Sequence, residues 1–312
     1  MKPALSVIFF TVLGGAGYGL WCLLGVALAL GVYPYGRDTV LGPLAIGFVF
    51  VSAGLISSTL HLGRPLRAWR AFSQWDSSWL SREGLASLAT YLPAFAVAGL
   101  GRGDNLFLPT RIAGAVLAIC AIVTIVCTAR IYTSLKPIAG WRDPRVLPLY
   151  LLFGLLSGGL WLRAYLAFNP GRPLAPAFAL ALILIAVIAA ALKFDYWKML
   201  DRGAPTDAGH ATGLDRLGAV RAFEGPVTEE SYLTREMAFV LARKHARVLR
   251  RYAWVLFTLL PTILIAIAFV WPYTQSGLAL LAALSCLAGL FVERWLFFAE
   301  ARHAVAAYFP AR

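Results

Sequence analysis

Residues 40–60 read VLGPLAIGFVFVSAGLISSTL, 21 positions without a charge, and residues 61–84 follow as HLGRPLRAWRAFSQWDSSWLSREG. The first stretch is long enough for a helix to cross hydrocarbon about 30 Å thick. The second carries His61, Asp76, Glu83 and four arginines, Arg64, Arg67, Arg70 and Arg82, with Trp69, Trp75 and Trp79 among them. A new apolar run begins just after Glu83. The order is therefore span, polar segment, span, with both ends of the polar segment on one membrane face. Ionisable groups at the edge of hydrocarbon are costly unless solvated or paired, which makes them candidate functional groups. The plainer alternative is a basic loop with an aromatic belt, common in membrane proteins.

The whole chain supports that reading. Of 312 residues, 60% are hydrophobic and 14% charged, against about 25% charged in soluble domains. Mean hydropathy is +0.73. Apolar runs of about 20 residues form helices rather than barrel strands. The expected fold is thus an all-α integral membrane protein, one polytopic domain over residues 1–312. The apolar run after Lys2 has no short core and cleavage site of the signal-peptide kind, so it reads as a retained first span. The net charge of +13 would suggest nucleic acid in a soluble protein. Here the charges fall between spans, where orientation, anionic lipid or an acidic partner explains them better.

Charge-free windows predict eight spans: about Ala4–Gly31, Val40–His61, Arg82–Leu100, Leu108–Ile131, Val146–Phe168 and Leu174–Trp197, then two more within the 41 uncharged residues from Tyr252 to Val292. That last run is too long for one helix, and Trp271-Pro272-Tyr273 through Gly277 supplies turn chemistry at its middle. Pro261 is a candidate kink in the seventh span. The loop after the sixth span, residues 199–250, is the longest. Within it, Thr228-Glu229-Glu230 resembles a helix start, and Arg243, Lys244 and Arg247 cluster downstream, as a helix dipole favours. An amphipathic helix is expected over about 228–250, leading into the seventh span.

With eight spans, both termini and the loops after spans two, four and six share a face. That face holds 23 of the 28 Lys and Arg residues. The positive-inside rule puts it, with His61 and Glu83, in the cytoplasm.

His61 closes the second span, where an imidazole can hydrogen-bond a quinone carbonyl and carry a proton near neutral pH. The plain alternative is a helix-terminal His bonded to a backbone carbonyl. Glu83 opens the third span, as a proton relay or as a carboxylate favoured by the helix dipole. Arg82 beside it is a candidate for holding it ionised. Arg64, Arg67 and Arg70, spaced by three, form one stripe on a helix. With Trp69, Trp75 and Trp79 they suit lipid head groups or a partner protein.

Cys22, Cys120, Cys127 and Cys286 all lie in apolar runs, without the clustering an iron–sulfur centre needs. They read as small core residues. Of the four histidines, His61 and His303 end spans on the same face, so an axial haem pair stays open on spacing alone. The sequence holds no phosphate loop, nucleophile elbow or metal motif.

The stretch from Leu60 through His61, Arg64, Arg67, Trp69 and Arg70 to Phe72, continued by Trp79, Arg82, Glu83 and Gly84, resembles the dimethyl sulfoxide reductase anchor subunits. So do Ala129–Pro137, which includes Lys136, and Leu233–Ala246. The opening, Met1 to Thr11, is most like the anchor of the membrane-bound sulfite-oxidising complex within that family. The resemblance spans nearly the whole chain. It implies eight helices and no haem. It also implies electron exchange between the quinone pool (ubiquinone or menaquinone) and an iron–sulfur subunit wired to a molybdopterin catalytic subunit. A His and a Glu in this motif serve the quinol site in the dimethyl sulfoxide reductase branch. They match His61 and Glu83, and Arg64 matches a motif position too. That branch places its catalytic subunits outside, whereas the charge count here points inward, as in the sulfite-oxidising branch.

The expectation is therefore a bacterial inner-membrane anchor with no catalysis of its own. His61, Glu83 and Arg64 serve a quinone. Arg67, Trp69, Arg70, Trp75, Trp79, Arg82 and Lys136 receive the iron–sulfur subunit. The alternatives are a quinol-oxidising reductase anchor and a purely structural tether. A solute transporter is disfavoured because mid-span charges are scarce, Arg163 being the deepest in this reading.

Overall fold

The computed structural model describes residues 4–60, 64–101, 107–169, 176–202, 209, 212–218, 220, 241–271, 273 and 275–304. It contains eight helices long and apolar enough to cross a membrane. The first six are α1 (Leu5–Leu30), α2 (Arg37–Thr59), α3 (Trp79–Leu100), α4 (Leu108–Thr133), α5 (Val146–Ala167) and α6 (Pro176–Asp201). The seventh span, His245–Val270, is built from α7 (Leu241–Trp254), a five-residue π turn (Val255–Leu259) and α8 (Leu260–Val270). The eighth is α9 (Gln275–Ala299). No strand occurs among the described residues. An isolated bridge pairs Ile138 with His303.

These bounds lie within about a turn of the expected ones. α2 starts earlier, at Arg37, because Asp38 sits in its first turn, where the helix dipole favours an acid. The loop helix expected over about 228–250 is described only from Leu241, and from there it runs unbroken into the seventh span. Residues 221–240 lie outside the described residues.

α1 and α5 are the inner helices. α1 packs against α2, α4, α5 and α9, and α5 against α1, α4, α6 and α9. Lipid tails are as apolar as leucine, so such helices associate through close packing rather than a hydrophobic drive. Glycine makes this possible where the two inner helices cross. A Cβ on Gly19 would strike the Gly154 carbonyl, and one on Gly158 would strike the backbone of Gly19 and Leu20. Gly25 and Gly114 bring α1 and α4 together in the same way. Across the α1–α2 seam, the Trp21 indole N–H donates to the Leu44 carbonyl at 3.1 Å, over the flat surface that Gly47 leaves.

Pro261 does disturb the seventh span. It cannot donate to a carbonyl one turn back, and the turn before it is π rather than α. The Leu256 carbonyl in that turn accepts a hydrogen bond from Ser285 of α9 at 2.7 Å, and Gly289 leaves room for the bulging backbone.

Candidate functional site

Glu83 lies one turn inside α3, about 6 Å along the axis from its first residue. It is 4% exposed. Its Oε1 accepts from Ser87 Oγ on the same helix at 3.1 Å and from Thr128 Oγ1 of α4 at 3.4 Å. The seam continues downward, with Thr90 and Thr124 hydroxyls 3.1 Å apart. Tyr18 of α1 stands beside Ser87 and within electrostatic range of Glu83. Phe72 covers Gly84 from the polar segment above. A carboxylate is thus held in an apolar bundle by two neutral hydroxyls, which suits a group that takes up and releases a proton.

Arg82 does not serve Glu83. Its guanidinium turns outward, where Nε donates to the Trp75 carbonyl at 2.8 Å and Nη2 to the Asp76 carbonyl at 2.5 Å. It stacks over the Trp79 ring at 4.5 Å, with Arg130 of α4 on the same ring at 5.9 Å. Adjacency in sequence misleads here because neighbours on a helix point about 100° apart, so one faces the bundle and the next faces the loop.

Above this, Pro65–Gln74 forms a 3₁₀ helix with Arg64 at its head. At three residues per turn, residues spaced by three eclipse one another, so Arg64, Arg67 and Arg70 share one face, as expected. All three are exposed. Trp69 and Trp75 are 66% and 62% exposed, and Arg70 lies over the Trp69 ring at 5.7 Å. Lys136 is exposed in the α4–α5 loop on the same face. The structure therefore brings Trp75, Trp79 and Arg82 together beside the exposed arginines, with Glu83 turned away from them into the bundle. His61 lies outside the described residues, and so does its expected pairing with Glu83. His303 takes part in the bridge to Ile138, with Ala304 N–H donating to the Pro137 carbonyl at 2.8 Å.

Sequence reasoning missed a second ionic cluster at similar depth. Lys193 of α6 and Glu293 of α9 meet at 2.5 Å, with side chains 1% and 0% exposed. The contact is an ion pair rather than a well-angled hydrogen bond. Arg294, 4% exposed, adds a second cation 3.5 Å from the other Glu293 oxygen. Its guanidinium lies over the Tyr150 ring at 3.8 Å, and Lys193 lies over Tyr196 at 4.3 Å. The Lys and Arg count along the sequence groups Lys193 and Arg294 with the loops. All three sit about 7–12 Å inside their helix ends instead. Arg163 is also buried, yet only a turn from the end of α5, so it is not the deepest charge. The available signal was Tyr196 and Trp197, three and four residues after Lys193 and hence on its helix face. Outward of the cluster, Arg250 of α7 bridges Asp201 at 2.9 Å and Glu300 at 2.9 Å. Burial raises the Glu300 carboxyl above its ordinary range, against the opposing pull of Arg250.

Cys22, Cys120, Cys127 and Cys286 are free thiols in separate parts of the bundle, apart from the two on α4. No group of three or more His, Cys, Asp or Glu side chains fit to hold a metal occurs among the described residues.

Eight spans with acidic and basic side chains gathered beneath one face define an integral membrane subunit whose polar chemistry is buried just under the loops. The family model described as DMSO reductase anchor subunit (DmsC) matches residues 1–299, and the chain belongs to that family. It is 31% identical to the C subunit of sulfite dehydrogenase from Allochromatium vinosum, over its full length and 99% of that relative. It is 29% identical to the C chain of anaerobic dimethyl sulfoxide reductase from Escherichia coli K12, over 43% of its own length and 48% of that relative. The protein is thus a multi-pass membrane anchor subunit of a DMSO reductase-family complex, homologous to the C subunit of a sulfite dehydrogenase.

Proposed function

We propose that the protein passes electrons between an iron–sulfur subunit and the quinone pool, with the quinone head group held where α2 ends and α3 begins. Glu83 carries the reading, as a buried carboxylate held by two neutral hydroxyls one turn below a polar surface. In this reading Glu83 exchanges protons with the quinone oxygens, while His61 and Arg64 hydrogen-bond the head group. Arg67, Trp69, Arg70, Trp75, Trp79, Arg82 and Lys136 receive the iron–sulfur subunit, which is in turn wired to a molybdopterin subunit. Arg and Trp are the residue types favoured at protein interfaces.

Full-length similarity to the C subunit of a sulfite dehydrogenase supports sulfite as the complex's electron source, with quinone as acceptor. The charge asymmetry supports a cytoplasmic position for this face and both termini, in the inner membrane. The test is quinone-linked turnover in the intact complex. Glu83→Gln should lose it while the complex still assembles. Retention of wild-type turnover by both Glu83→Gln and His61→Ala would leave a structural tether as the function.

A further inference from the structure

Resting on the quinone reading, the structure points to an internal proton store for that site. A cavity of about 20 Å³ lies between α1, α4, α5 and α9. That volume admits about one water, which needs two to four polar partners. The lining supplies them: Thr128, Tyr18, Tyr150 and Arg294. The Tyr18 hydroxyl stands beside Ser87 and that of Tyr150 beside Tyr132, yet neither makes a well-formed hydrogen bond among the described residues. Two buried hydroxyls without a well-formed hydrogen bond, on residues lining one small cavity, call for a water, because leaving a buried polar group unsatisfied is costly.

The same cavity separates the two ionic groups of this face. Thr128 on one wall bonds the Glu83 carboxylate, and Arg294 on the other borders Glu293 and its partner Lys193. We propose that water in this cavity joins Glu83 to the Lys193–Glu293–Arg294 cluster, and that the cluster returns protons to Glu83 after each is given to the quinone. Quinone reduction consumes two electrons, from the iron–sulfur partner, and two protons. Each proton leaves Glu83 for a quinone oxygen, and Glu83 is reprotonated through the water from the Lys193–Glu293 pair. That pair is refilled from the aqueous side, where Glu300, just past the end of α9, and the exposed Asp201 lie. The groups facing the cluster are Tyr150, Tyr196, Glu300 and Arg250. With two cations on one carboxylate, Lys193 can release its proton without leaving Glu293 as a bare buried anion, because Arg294 stays beside it.

The experiment uses the intact complex, reading turnover, its solvent deuterium isotope effect and affinity for a quinone analogue. Glu293→Gln, and Tyr150→Phe as a variant that spares the ion pair, should cut turnover about ten-fold. Both should raise the isotope effect and leave analogue affinity unchanged, and a membrane-permeant weak acid should restore the rate. If Glu293→Gln fails to assemble, Lys193→Met takes its place, since Glu293 then keeps Arg294 as its counter-ion. Wild-type turnover, or a loss with an unchanged isotope effect and no rescue by acid, overturns the proton store. Glu83→Gln, run in parallel, separates the two readings. If it turns over normally, the quinone assignment itself fails. If it is inactive while the cluster variants are normal, only the store fails.

Discussion

Lys193 and Glu293 pair at 2.5 Å on two different spans, with neither side chain reaching solvent. Each charge would be untenable alone at that depth. Together, and wrapped by Tyr196, Trp197 and Phe297, they tie α6 to α9. Arg294 is the second cation of the group, so removing Glu293 strands two buried cations, whereas removing Lys193 leaves a Glu293–Arg294 pair.

Glu293→Gln alone should therefore destabilise the subunit by about 3–5 kcal/mol. Lys193→Met should cost less, because Arg294 still compensates Glu293. Thermal unfolding in detergent, followed by the labelling of buried Cys286, measures both. Equal damage from the two variants would show that Glu293 is not what holds these cations in the bundle.

Glu83→Gln keeps the shape and the hydroxyl contacts but ends proton exchange. Quinone-linked turnover should fall about a hundred-fold or more, as for loss of a general acid–base group. Thr128→Val should cost less, because Ser87 still donates to the same oxygen. Stopped-flow oxidation of the reduced complex by quinone ranks the two.

Gly19→Ala and Gly158→Ala each place a methyl against the backbone of the opposing inner helix. Each should cost at least about 3 kcal/mol, the upper end for overpacking, and lower the yield of folded subunit. Gly99→Ala and Gly277→Ala meet open space and should be neutral or slightly stabilising. Comparable yields from all four would contradict the close α1–α5 crossing.

Arg67→Glu/Arg70→Glu reverses charge on the exposed face of the 3₁₀ helix without touching the bundle. Co-purification of the iron–sulfur subunit should drop most at low salt, and the gap to wild type should narrow as salt is raised, since exposed charges are screened. The variant subunit should still fold. Unchanged retention of the partner across the salt series would move the docking face elsewhere.

Much of this architecture was legible because hydrocarbon imposes a simple length and polarity test. The run from Val40 to Leu60, the turn at Trp271 and the disturbance at Pro261 all announced themselves, and the helices lie within about a turn of the expected spans. Glu83 was also legible, since an acid beside a long apolar run stands out. The cost of burying its neighbours was not. Lys193, Glu293 and Arg294 look like end-of-span charges in one dimension, because each stands only a few residues from a polar loop.

The order of residues alone settles the class: eight helices, the face that gathers the charge, and the polar segment after Leu60 as the place to look. Backbone groups in hydrocarbon must bond within their own helix, so composition and length fix that much. The direction each side chain faces came from the packed bundle. Packing turned Arg82 out to the loop carbonyls and Glu83 in to Thr128, and it set Lys193 opposite Glu293 from helices about a hundred residues apart. Partners at such sequence distance are chosen by how helices meet, not by what stands next to them in the chain. Glycines at the α1–α5 crossing bring the inner helices close, and that closeness sets which surfaces of the outer helices come together.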